Sequence, residues 1–396
     1  MSAPSSVPAP SSAAAPAPGA RRALLLIAVW GLVVMGWATL ARDVLPVAHR
    51  EAWPPEIAAH APPLARYDAG WYRRIALEGY GRSVPSVGTP SEHVFFPLYP
   101  ALVAGVSRFL NADPFAAGMA VSLAALAIAS ILFVAEGTRR RDEISAIHAL
   151  AFLLLFPTAF FLASAYAESL FLLLALLAFD AVRRRAWAAA ACFGFLAGLT
   201  RLPALALAAP LALAAAEAGA ERPAAPRSPR LLRGAMVGAA PVAGVFFWIA
   251  GIGWYTREPG LYFRLQESWQ RASSPLSGLA RWAAALPERV SQGELSTHPA
   301  FLVDYLCALL FLLLGIYQAR RRRWADASWT AGALLLPAST GISASLPRYL
   351  VVVYPAFYAL AEIFRGRPVR RWVWWAVSGV ALLAAIAAFV NWRWVA

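Results

Sequence analysis

The feature that most limits what this chain can fold into is a succession of apolar runs, each long enough for a helix and separated by short arginine blocks. The runs lie at 22–41, 95–110, 115–136, 144–162, 167–182, 186–201, 203–217, 232–254, 299–318, 326–342, 348–364 and 371–390. A bilayer core asks for about twenty apolar residues per helical crossing, and most of these runs approach that length. With 60% of residues apolar, 14% charged and a positive mean hydropathy over 396 residues, an all-α polytopic transmembrane bundle is the expected fold class.

The arginine blocks set the topology. The net charge of +14 comes from arginine alone, since the chain has no lysine. Nucleic-acid binding is one source of such a charge, but the distribution is against a nucleic-acid partner. The blocks 139–141, 183–185, 222–233, 320–323 and 365–371 fall between apolar runs, as cytoplasmic loops require. The 95–110 run is short and contains Pro97, Pro100 and Arg108. If it does not cross, and Arg21 and Arg22 mark a cytoplasmic N-terminus, all five blocks emerge inside; if it crosses, all five emerge outside. We therefore expect about eleven spans in a multi-pass cell-membrane protein, with the N-terminus cytoplasmic.

Residues 1–21, rich in Ala, Pro and Ser, are expected to form a disordered cytoplasmic tail, and 22–396 a single transmembrane domain. Ala23–Leu40 is longer than a signal-peptide core and is expected to stay as an anchor. Two long segments are expected outside, 42–114 with interfacial helices and 255–298. The second interleaves Tyr255, Tyr262, Trp269 and Trp282 with Arg257, Arg264, Arg271 and Arg281, a pattern suited to helices at the headgroup level. Cys192 and Cys307 sit inside apolar runs and suggest neither a disulfide framework nor a zinc site.

Polar residues with chemical capacity collect on the expected outer side. Asp68 follows Tyr67 and opens an amphipathic stretch containing Arg73; it can cap that helix or serve as a base. Glu92 and His93 bring an acid and an imidazole to the mouth of the 95–110 run. Tyr166 and Glu168 follow Phe156-Pro157, and an ionisable group abutting apolar helix marks a functional site by default. Arg201 and Arg348 sit beside prolines in tight turns between runs and break the positive-inside rule. Snorkelling to lipid phosphate is one account; the other is that their planar forks hold a phosphate that departs during reaction. Such an inventory suits sugar transfer from a lipid phosphate, with a carboxylate deprotonating the acceptor and arginines stabilising the leaving group. No cofactor is expected. Asp68, Glu92 and Glu168 lack the spacing of a metal site, so none is expected there either. A transporter or lipid flippase is the alternative, though it would place ionisable groups nearer mid-span, and a non-enzymatic scaffold is a third.

The order Tyr67-Asp68-Ala69, Ile75-Ala76, Gly79-Tyr80, Phe96-Pro97-Leu98-Tyr99-Pro100, Phe156-Pro157-Thr158-Ala159-Phe160-Phe161, Tyr166-Ala167-Glu168-Ser169, Arg201 and Ser345-Leu346-Pro347-Arg348-Tyr349 resembles the mannosyltransferases that add the second mannose of glycosylphosphatidylinositol anchors, and their bacterial relatives. The resemblance covers nearly the whole chain after residue 60. It implies a GT-C-type bundle with a large first outer loop, a polyprenyl-phosphate sugar donor, a lipid or glycolipid acceptor, inversion at the anomeric carbon, and Asp68 as the catalytic acid–base position. Tyr67 stands where a tryptophan is usual, which keeps an aromatic ring before the acid.

Overall fold

A computed structural model of the protein describes residues 18–42, 44–46, 57, 61–86, 88–218, 227–267, 274–292, 299–341 and 345–395, and these are all-helical, without a β-strand. The expected tail over 1–17, the first part of the 222–233 block, Trp269 and Arg271 lie outside the described residues. The first helix, α1 (Pro18–Leu40), begins a few residues before the expected boundary. It is followed by α2 (Asp68–Glu78), α3 (Leu98–Leu110), α4 (Pro114–Arg140), α5 (Glu143–Leu154), α6 (Glu168–Arg183), α7 (Trp187–Gly198) and α8 (Ala208–Ala218). Then come α9 (Arg227–Thr256), α10 (Leu261–Glu267), α11 (Pro275–Ser291), α12 (Pro299–Arg320), α13 (Trp324–Ala338), α14 (Leu346–Leu350), α15 (Tyr354–Ile363) and α16 (Pro368–Val390).

Five of these, α1, α4, α9, α12 and α16, are long and apolar enough to cross a membrane. Several expected spans are shorter and broken. The 144–162 run ends as a helix at Leu154, because Pro157 cannot donate the next backbone hydrogen bond. In lipid, the carbonyls freed by such a break need other partners. Trp30 Nε1 donates to the Leu154 carbonyl at 2.7 Å and Ser378 Oγ to the Leu155 carbonyl at 2.7 Å. The chain then passes through a 3₁₀ turn, Ala159–Leu162, whose terminal carbonyl takes the Ser169 hydroxyl at 2.6 Å.

The short helices nevertheless link the same two ends of the bundle. Along α6, Glu168 and Asp180 are twelve residues apart, about 18 Å at helical rise. Asp180 meets Arg139, Arg183 and Arg184, while Glu168 meets Arg201 and Arg348. From Arg348, the chain runs through α14 and α15 back to Glu362, which pairs with Arg141, Arg321 and Arg323. Three of the five arginine blocks thus share carboxylates at one end, and the candidate site residues gather at the other.

Close packing fixes one corner of that second end. A Cβ on Gly198 would lie 2.3 Å from the Pro241 carbonyl oxygen, and one on Gly244 would lie 2.1 Å from the Phe195 carbonyl oxygen. α7 and α9 therefore cross where neither backbone carries a side chain, the small-residue contact that lets lipid-embedded helices approach. Arg201 follows three residues after this crossing.

Candidate active site

The loop before α2 delivers Asp68 through unusual backbone. Tyr67 has φ 49° and ψ −117°, a region that costs non-glycine residues about 1–3 kcal/mol and persists only when surroundings enforce it. Those surroundings are aromatic: Tyr67 packs against Phe389, Trp392 and Trp394 with ring centroids 5.5, 5.4 and 4.7 Å away. Asp68 is the first residue of α2, and among the described residues the hydrogen bond of its side chain goes to Arg348 and not to the helix. The capping role is thereby corrected, for the carboxylate turns to another partner. Oδ2 accepts from Arg348 Nη1 at 2.6 Å.

Arg348 is presented in a similar way. Ser345, just before α14, has φ 73°, and Pro347 lies in the first turn of the short helix. Arg348 is only 6% exposed, and its guanidinium bridges Asp68 and Glu168 and lies over the rings of Phe161 and Tyr166, 5.1 and 4.5 Å from their centroids. Glu168 is fully buried at the first turn of α6, where the helix end favours negative charge. Its Oε1 takes Arg348 Nε and lies 3.0 Å from Arg201 Nη1. Its Oε2 has no hydrogen-bond partner among the described residues. The Arg201 contact is an ion pair off the hydrogen-bond line, so this Nη1 keeps an unused donor while its charge is matched. Arg201 also lies over the Tyr349 ring at 5.2 Å.

These groups open on a cavity of about 480 Å³, within the usual range of small-molecule sites. Asp68, Arg201 and Arg348 line its polar part; Phe96, Pro203 and Pro337 belong to its apolar wall. Tyr72 also lines it. Burial pushes the Tyr72 phenol well above its usual value, and the neighbouring Glu168 carboxylate adds to the shift. The hydroxyl therefore stays a neutral donor throughout the physiological range. Sequence reasoning missed Tyr72, although Asp68 and Tyr72 stand at i and i+4 and share a helix face. Trp394, also on the wall, gave no local signal.

Other expected site residues are placed elsewhere. Arg73 is five positions from Asp68, about 140° around the helix, and it faces Asp113 at 3.7 Å and the Phe115 ring at 5.5 Å. It does not line the cavity. Glu92 and His93 close the preceding loop. His93 Nε2 donates to the Gly81 carbonyl at 2.8 Å, which leaves Nδ1 to accept from Ser91 Oγ at 2.6 Å. Glu92 Oε1 accepts from the Gly81 N–H at 3.2 Å. They directly precede Val94, Phe95 and Phe96, which do line the cavity. Tyr166 is fully buried, and its hydroxyl donates to the Arg66 carbonyl at 2.8 Å. Its hydroxyl ties to the strained loop and its ring underlies Arg348. Among the described residues, no three His, Cys, Asp or Glu side chains gather as a metal-holding group.

No family model and no curated protein matches the chain. Among solved structures, it is similar to the crystal structure of the Archaeoglobus fulgidus oligosaccharyltransferase complex with Zn and sulfate, at 12% identity and a TM-score of 0.39. The match covers 91% of this chain and 52% of the other, so the chain spans about half the length of that protein.

Proposed function

We propose that this protein is an integral membrane glycosyltransferase of GT-C type. It transfers a hexose, mannose by the resemblance of its motifs, from a polyprenyl-phosphate donor to a lipid or glycolipid acceptor on the extracytoplasmic face. The eleven-span topology with a cytoplasmic N-terminus belongs to the same proposal and is supported by the gathering of arginine blocks at the end opposite the cavity. The observation that carries the reading is one cavity holding a carboxylate, Asp68, beside two buried arginines, Arg201 and Arg348, with an apolar wall.

In this reading Asp68 removes the proton from the acceptor hydroxyl as its oxygen attacks the anomeric carbon. The bond from that carbon to the donor phosphate oxygen breaks with inversion, and Arg201 and Arg348 stabilise the charge left on the phosphate. Arg348 ties to Asp68 before substrate arrives; a phosphate in the cavity competes for it and releases the carboxylate for the acceptor. Leu202, Pro203, Leu336 and Pro337 offer the prenyl chain an apolar path. A transporter would instead need ionisable groups through the bundle, and α6 carries none between Glu168 and Asp180.

The test is radiolabelled transfer from polyprenyl-phosphate mannose to membrane lipid and protein, with Asp68→Asn as the decisive variant. Loss of the base is expected to lower transfer by about 10²–10⁴-fold with expression intact. Wild-type rates in a folded Asp68→Asn protein would remove the aspartate from this role.

A further inference from the structure

The polypeptide leaving α16 forms part of the cavity. Asn391 Nδ2 donates to the Ala41 carbonyl at 2.7 Å, and Arg393 Nε donates to the Pro46 carbonyl at 3.2 Å. Trp392, at φ 59°, packs on Tyr67, with the Arg66 guanidinium 5.1 Å over its ring. Trp394 therefore follows a stretch anchored through the Asn391 and Arg393 side chains, yet it keeps 36% of its surface open and lines the cavity. Its ring stands nearly perpendicular to Tyr67, at 83° and 4.7 Å, so the two aromatics form a corner immediately before Asp68.

We propose that Trp394 is a specificity-determining residue, the platform on which the sugar ring of the acceptor rests. An indole can gain hydrophobic free energy by burial, and this one is pinned half-open beside a carboxylate. An aromatic face matches the C–H face of a pyranose, which is apolar while its edge is polar. The contacts also tie the platform to the charged groups. Trp394 touches Tyr67, Asp68 follows Tyr67, Asp68 binds Arg348, and Arg348 shares Glu168 with Arg201. The aromatic corner, Asp68 and the phosphate-holding arginines thus belong to one connected cluster that lines one cavity. An acceptor sugar resting on Trp394 would therefore share the cavity with the Asp68 carboxylate that takes its proton.

This inference rests on the transferase reading, so its test is a binding measurement that needs no turnover. The protein in lipid nanodiscs is titrated with octyl mannoside and, as a ringless control, n-octanol. Trp394→Ala is expected to weaken octyl mannoside binding by about tenfold, the loss of one aromatic anchor, and to leave n-octanol binding unchanged. Trp394→Phe, which keeps a flat ring, is expected to stay within about threefold of wild type. In the transfer assay the same Trp394→Ala change should raise the acceptor KM and spare the donor KM. Equal octyl mannoside binding by wild type and Trp394→Ala, no octyl mannoside binding by wild type, or parallel loss of both probes would each overturn the platform. Normal binding without any sugar transfer by wild type would instead sink the transferase reading, so the two failures are told apart.

Discussion

The two ends of the bundle use the same residue types for opposite purposes. At the arginine-rich end Asp180, Asp326 and Glu362 are each matched by two or more cations or held at both oxygens. Asp180 binds Arg183 and Arg184 at 2.6 Å, and Arg140 grips both oxygens of Asp326 at 2.6 and 3.2 Å. Glu362 takes Arg323 at 2.8 Å and Arg321 at 3.1 Å. At the cavity end, Glu168 keeps one oxygen unpartnered, Arg201 keeps an unused donor, and Arg348 is divided between two acids. Both residues that lead into this end, Tyr67 and Ser345, carry positive φ, as Arg185 and Arg322 do at the other. A saturated network holds helices together; an unsaturated one, kept in place by strain and packing, retains capacity for a substrate.

The contrast predicts different losses from equivalent changes. Arg348→Ala should reduce sugar transfer by about 10²–10³-fold, since it removes a donor aimed at developing charge. It should also destabilise the protein, because Glu168 loses its closest cation. Arg140→Ala leaves the buried Asp326 without its fork, a loss of about 3–5 kcal/mol, but should preserve turnover per folded molecule. Thermal inactivation in nanodiscs read beside initial rates separates the two, and a turnover defect in Arg140→Ala without destabilisation would erase the distinction between the ends.

Tyr166→Phe sharpens the comparison by testing support instead of chemistry. The hydroxyl bond to the Arg66 carbonyl is buried, so its loss should cost about 1–3 kcal/mol. Turnover should fall modestly through the loop that carries Asp68, with the pH profile unchanged. A large rate loss together with a shifted pH profile would return Tyr166 to an acid–base role.

The smallest expected effect lies at the arginine-rich end. Asp142 caps α5, accepting from the Ser145 N–H and hydroxyl, each at 2.8 Å. The backbone hydrogen bond from Ser145 leads in holding its carboxyl below the usual range. A depressed folded-state value means that the cap contributes fully above the ordinary carboxylate pKa and is lost as pH falls through the lowered one. Asp142→Ala should therefore cost about 1 kcal/mol at neutral pH. The difference should vanish below the acid transition, and a penalty that persisted there would assign the loss to packing.

Much of this arrangement is legible in the sequence because it depends on composition along a line. Apolar runs give helices, and arginine blocks give ends. Asp68, Glu168, Arg201 and Arg348 stand out as charges abutting apolar segments, and the structure brings those four together. Local reading fails where direction around a helix or a distant partner decides. Arg73 lies close to Asp68 in sequence but points to Asp113, and the Asp68 carboxylate leaves its own helix for an arginine 280 residues away. Helix lengths were also hidden, since Pro157 ends α5 inside one uninterrupted apolar run.

The sequence by itself determined that this chain is helical and suited to lipid, and which charges are expensive enough there to have a purpose. Only the tertiary structure decided that Glu168 sits between two arginines, that Tyr72 shares the cavity, and that Trp394 forms its wall 326 residues after Asp68. The reason is physical: hydropathy acts residue by residue along the chain, whereas ion pairs, aromatic corners and cavities are set by which helix ends meet in space.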